Sequence, residues 1–221
     1  MGDSWAARGA RPLAATLDGL GLSFRVETIA REGSTACEWA ARRRSVAAAL
    51  QRAAGADGAP PTVWLALGGD DLALGDASFA DIERCTAAVL DALFEARAGV
   101  RVVQFGNELL CPFCFFQDGW KRRRAAAACG SIGNATCFNA LLGGLQRGLR
   151  ERVAPAAHAN YTLLDLRGTL QHTSGVPRAG VGRPNLDEWT PAEYYTPDCL
   201  HPSEAGFRHL FRELARTLEA G

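Results

Sequence analysis

With 221 residues, 48% of them apolar and 22% charged, the chain is long enough to bury the core of one α/β domain and too long for a disulfide-held miniprotein. Its 24 Lys and Arg residues balance 24 Asp and Glu residues, so net charge supplies no pull towards nucleic acid or an anionic membrane. No apolar run approaches the roughly 20 residues that span a bilayer, and no stable membrane insertion is expected.

The apolar pattern alternates short runs with longer helical stretches. Val26–Ile29 reads as a strand. Thr35–Ala54 reads as a helix opened by a capping box, with Thr35 as N-cap and Glu38 three residues on. Thr62–Leu67 is a continuous apolar run after two prolines, the mark of a strand buried on both faces. Phe79–Ala98 has helical spacing, with Ile82, Val89, Leu90 and Leu93 on one side. Val100–Phe105 is the next strand, Asn134–Val153 a helix and Tyr161–Leu166 another strand. Ser203–Ala220 closes the chain as a helix with Phe207, Leu210, Phe211, Leu214 and Leu218 as its apolar stripe. Strands alternating with helices imply right-handed crossovers and a mostly parallel sheet, a three-layer α/β/α sandwich in a single domain over residues 1–221. Residues 106–133 and 168–197 interrupt the alternation and read as long loops at the carboxyl edge of the sheet, where open α/β folds bind ligands.

Seven cysteines are many for an enzyme of this size. Cys111, Cys114, Cys129 and Cys137 cluster in one stretch; their spacing allows zinc, but the flanking Phe residues and a nearby sequon favour disulfides, with the pairing open. Asn134-Ala-Thr136 and Asn160-Tyr-Thr162 match the glycosylation acceptor pattern. Cysteines and sequons together point to the secretory pathway, although no signal peptide is recognisable. Arg42–Arg44 and Lys121–Arg124 read as solvated faces, and Trp39 and Trp64 as core. Cys199 either pairs with another cysteine or is a buried thiol. His158, His172 and His209 stand in no motif.

Four short features carry chemistry, in this order: Gly2-Asp3-Ser4; a lone Gly33; Gly68-Gly69-Asp70-Asp71; and Asp198-Cys199-Leu200-His201-Pro202 before the last helix. A serine hydroxyl becomes a nucleophile only with a base in hydrogen-bond reach. His201 supplies one, and Asp198, three residues earlier, is placed to fix its tautomer and stabilise the imidazolium. Pro202 is expected to start the final helix.

This ordered set resembles the four sequence blocks of the SGNH, or GDSL-type, hydrolases, and the resemblance runs over nearly the whole chain. It implies a serine hydrolase that cleaves carboxylic esters, of lipids or of acetylated sugars, through an acyl-enzyme and without metal or organic cofactor. Ser4, Asp198 and His201 are the implied catalytic residues. The implied oxyanion hole comprises the N–H groups of Ser4 and Gly33 and a side chain at position 70. Trp5, directly after Ser4, and Tyr194 and Tyr195, just before Asp198, are candidates for lining the pocket for a small-molecule, glycan or lipid ester. Two departures stand out. Position 70 holds Asp where the family pattern has Asn, and an ionised carboxylate cannot donate to an oxyanion. The strand that should lead into Gly-Asp-Ser is represented by Met1 alone, so the first strand is expected to be missing and the sequence to be a piece of a longer chain. The rival reading is a non-catalytic binding protein on the same fold, favoured by Asp70. A metal-dependent phosphoesterase built on Asp70 and Asp71 ranks last, for want of nearby histidines.

Overall fold

The computed structural model describes residues 1–22, 25–53, 60–74, 77–106, 129, 135–167, 169–170, 192–198 and 200–219. In chain order its elements are α1 (Ser4–Gly19), α2 (Ala36–Ala41), α3 (Arg43–Ala53), β1 (Thr62–Ala66), α4 (Gly69–Leu74), α5 (Phe79–Ala96), β2 (Arg101–Phe105), α6 (Ala135–Gly148), β3 (Tyr161–Leu164) and α7 (Glu204–Glu219). A π-turn, Leu149–Val153, extends α6, and a short 3-10 turn spans Ala192–Tyr194. The elements fall into two units. One holds Met1–Ala7, Glu27–Gly106 and Leu145–Leu164; the other holds Arg8–Val26, Asn107–Gly144 and Asp165–Gly221.

The first unit is built on a parallel sheet in the order β1-β2-β3. Val102 of β2 pairs with Val63 on one side and Tyr161 on the other. Successive residues Val102, Val103, Gln104 and Phe105 are all buried. Neighbours along a strand point to opposite faces, so both faces of the sheet are covered, as the unbroken apolar runs require. The amino terminus extends this sheet past β1. Ala66 N–H donates to Met1 O at 3.0 Å and Asp3 N–H to Ala66 O at 3.1 Å, while Gly2 N–H donates to Ile29 O and Arg31 N–H to Gly2 O. Gly2 thus makes parallel bridges to both Ala30 and Ala66. The sheet position expected to be empty before Ser4 is held over these three residues. Val26–Ile29 forms no strand; the pairing of this segment with Gly2 is a single parallel bridge at Ala30.

The helices follow their sequence signals closely at the start and less so at the end. Thr35 and Glu38 make the capping box of α2 reciprocally. The helix expected over Thr35–Ala54 is two, because the chain turns at Arg42, whose N–H closes on Trp39 O. A second capping box, Ser78 with Asp81, opens α5, which buries Ile82, Val89, Leu90 and Leu93. The disulfide Cys37–Cys85 ties α2 to α5. Arg152 of the π-turn reaches Glu83 of α5 through both its Nε and a terminal nitrogen.

In the second unit α7 buries Phe207, Leu210, Phe211 and Leu214, with Phe207 and Phe211 stacked at 5.6 Å; Leu218 is partly exposed. Cys129 and Cys137 are disulfide-bonded. Cys111, Cys114, Cys199, Asn134, His172, Lys121–Arg124 and most of the two expected loops lie outside the described residues. No described helix is long and apolar enough to cross a membrane.

Candidate active site

The Gly2-Asp3-Ser4 motif has a local reason at each position. Gly2 has φ 144°, and a Cβ there would sit 1.9 Å from Ala66 O, so only glycine lets this segment lie against β1. Asp3 is the N-cap of α1: its carbonyl accepts from Ala7 N–H, and its Oδ1 accepts from Trp5 N–H at 2.9 Å. Ser4 is therefore the first residue of the helix, and it is buried. The leading N–H groups of a helix have no acceptor within it, which is what an oxyanion donor requires.

Gly33 occupies the third position of a turn closed by Ser34 N–H on Arg31 O, with φ 71°. That backbone calls for glycine, and a Cβ there would meet nothing within 4 Å. The turn is tied to the Gly2-Asp3-Ser4 motif through Arg31 N–H on Gly2 O. The Ser34 hydroxyl donates to Arg31 O and accepts from the Trp39 indole at 2.8 Å. Position 70 falls in the first turn of α4, just past the end of β1. The first unit thus gathers Ser4, Gly33 and Asp70 where β1 and the Met1–Asp3 segment end.

This corner is rich in carboxylates. Burial pushes Asp3 well above the ordinary carboxylate range, and the charges of Asp70 and Asp71 push it further. Asp71 is buried too; burial raises it to about 6, against the hydrogen bond it accepts from Ala36 N–H. Among the described residues, no three His, Cys, Asp or Glu side chains are placed to hold a metal ion.

The second unit holds the Asp198–His201 pair in a tight loop. Tyr195 and Pro202 form an antiparallel bridge, Thr196 N–H donates to His201 O, and Ser203 N–H donates to Tyr194 O. Pro202 is thus part of the loop closure, and α7 begins two residues later at Glu204 instead of at the proline. Asp198 Oδ2 lies 2.7 Å from His201 Nδ1. Its Oδ1 accepts from the Thr196 hydroxyl at 2.5 Å and from the N–H groups of Leu200 and His201 at 3.0 Å each. Burial opposes ionisation of Asp198, but the donors from Thr196, Leu200 and His201 together outweigh it and hold the carboxyl well below its usual range.

The proposed lining residues differ in setting. Trp5 is partly exposed next to Ser4. Tyr194 stacks on His209 of α7 at 5.5 Å, and Tyr195 is buried behind its bridge to Pro202. Two partners of the Asp198 carboxylate were not foreseen. Thr196 donates to Oδ1, and Arg8 donates to Oδ2 at 3.0 Å. Thr196 could have been suspected as a small hydroxyl two residues from an aspartate. Arg8 becomes visible only once Ser4–Gly19 is known to be a helix.

Neither a family model nor a curated protein sequence matches the chain. Solved structures do. A GDSL-like lipase from Bacteroides thetaiotaomicron superposes with a TM-score of 0.59 at 15% identity, covering 100% of this chain and 86% of that one. A lipase from a goat rumen metagenome gives 0.59 at 13% identity over 97% and 93%. A carbohydrate esterase of family 3 from Talaromyces cellulolyticus gives 0.54 at 15% identity over 100% and 94%. With its parallel sheet, its helices and these neighbours, the chain has the mixed α/β fold of the GDSL-type lipases and esterases.

Proposed function

We propose that the chain is a serine hydrolase of carboxylic esters acting through an acyl-enzyme. The observation that carries this reading is the Asp198–His201 pair: a carboxylate kept ionised by three donors from its own loop and bonded to Nδ1 of a buried histidine. In that arrangement Nδ1–H donates to Asp198 and Nε2 is the proton acceptor. Ser4 Oγ attacks the ester carbonyl as its proton passes to His201, the alcohol leaves with that proton, and His201 then activates water to release the acid. The oxyanion is met by the N–H groups of Ser4 and Gly33, and position 70, the third site of the hole, holds Asp70 in place of an amide donor. Trp5 and Tyr194 are proposed to line the pocket and Tyr195 to back it. The neighbours named lipase and carbohydrate esterase support both acyl-lipid and acetylated-sugar esters as the substrate class. The Cys37–Cys85 and Cys129–Cys137 disulfides support a site of action in the secretory pathway or outside the cell.

One observation favours the second reading, a binding protein on this fold: Asp70 sits where an amide donor would serve, beside two further carboxylates. The test is p-nitrophenyl acetate hydrolysis by the chain and by Ser4→Ala and His201→Ala, each checked for folding. The hydrolase reading expects turnover that falls roughly 10³-fold or more in both variants. Equal background rates in all three folded proteins would leave the binding reading standing.

A further inference from the structure

We infer that Arg8 is a positioning residue for the proposed hydrolysis, tying the helix that begins at Ser4 to the carboxylate that holds His201; the inference rests on the triad reading above. Arg8 lies four residues after Ser4 in α1, one turn along the same face. Its guanidinium donates to Asp198 Oδ2 at 3.0 Å, the oxygen that also takes His201 Nδ1 at 2.7 Å. The other oxygen is met by Thr196, Leu200 and His201, all within the aspartate's own loop. The loop can therefore build the Asp–His pair by itself, but nothing in those bonds fixes it relative to α1. The Arg8 contact does. A nucleophile and its base must be held within about 0.5 Å of productive geometry, and a misplacement of about 1 Å costs on the order of 10²-fold.

The same contact contributes little to folding. The Arg8 and Asp198 side chains are 38% and 33% exposed, and solvent screening leaves ion pairs in such settings with little effect on stability. Position and stability can thus be separated by experiment.

The experiment is the rate at which diisopropyl fluorophosphate modifies the full chain, followed by intact mass, in wild type, Ser4→Ala, Arg8→Ala and Arg8→Lys. In this reaction Ser4 Oγ forms a bond to phosphorus, fluoride leaves, and His201 takes the serine proton, so no natural substrate is needed. Alanine keeps the helix, and lysine restores the charge and a donor. The expected result is no labelling of Ser4→Ala and labelling of Arg8→Ala about tenfold slower or more. The loss should lie in the limiting rate, with the half-saturating reagent concentration unchanged, and Arg8→Lys should recover most of it. The melting midpoint of Arg8→Ala should stay within about 3 °C of wild type. Labelling of Arg8→Ala at the wild-type rate overturns the positioning role. So does a slowing that lysine does not rescue. A folded wild type that is not labelled, or is labelled equally in Ser4→Ala, overturns the triad reading itself and Arg8's role with it.

Discussion

Both carboxylate oxygens of Asp71 lie 3.0 Å from the amide nitrogen of Ala36. A side chain from α4 therefore holds the first turn of α2, and the Gly33 turn is the segment that runs directly into α2. Asp71 is also the chain neighbour of Asp70. The relationship fixes two of the proposed oxyanion contributors against each other while neither has to touch the other.

The first prediction concerns pH. Asp71 has a folded pKa of about 6 against an ordinary value of 3.8. Between those values the folded state binds more protons than the unfolded one, so stability falls as pH rises through the window. Asp3, raised in the same direction, adds to the slope. Asp198 has the opposite sign: its stabilisation is present above the ordinary carboxylate value and is lost as pH falls below it. The buried Met1 amine, lowered to about 5, works against this decline above that pH, so the signature lies in the difference: from about pH 4 to pH 6 the urea midpoint of the wild type should fall relative to that of Asp71→Asn. Identical slopes in the two proteins would remove Asp71 from the account.

A second prediction addresses the departure at position 70. Asp70→Asn replaces a carboxylate with an amide that can donate, and takes one charge away from Asp3 and Asp71. The turnover number for p-nitrophenyl acetate should rise by roughly 10²-fold, the usual worth of one oxyanion donor. An unchanged or lower rate in a folded variant would falsify the assignment of position 70 to the oxyanion hole.

The cross-link between α2 and α5 gives a third. Cys37 and Cys85 are 48 positions apart, and closing a loop of that size in the unfolded chain is worth about 4 kcal/mol in chain entropy. Replacing both cysteines with serine should lower unfolding free energy by an amount of that order. A loss under about 1 kcal/mol would mean that the bond does not restrain the unfolded chain as this account requires.

Gly2 gives a fourth. Its φ of 144° and the 1.9 Å approach to Ala66 O leave no room for a methyl group. Gly2→Ala should destabilise by more than about 2 kcal/mol, read from urea unfolding. A loss below about 0.5 kcal/mol would show that the amino-terminal segment does not need this close approach.

Much of this was legible in the sequence where the cause is local. Thr35 with Glu38 and the apolar run from Thr62 are short-range signals, and both appear as read. The contact between Asp198 and His201 is legible for the same reason, since a separation of three residues on one loop decides it. What escaped is set from a distance. Nothing in Ala40-Ala41-Arg42-Arg43 marks a helix break, because those residues all favour helix; the break appears in a segment anchored by Asp71 and Cys85. The pairing of Cys37 with Cys85 is a product of the fold and has no spacing rule. α1 was hidden by Gly9 and Pro12, which normally argue against a helix, and with it went the Arg8 contact.

The two halves of the proposed triad also differ in how they must assemble. The Met1 amine bonds a carbonyl 63 positions away and Gly2 bridges two distant segments, whereas Asp198 and His201 are three residues apart. Contacts of long sequence separation carry a larger loop-closure cost than local ones and tend to close later in folding. In pulse-labelled hydrogen exchange the amides of Leu200 and His201 should gain protection before those of Asp3 and Ala66, so that a refolding chain holds the proposed base ready before it has placed the proposed nucleophile.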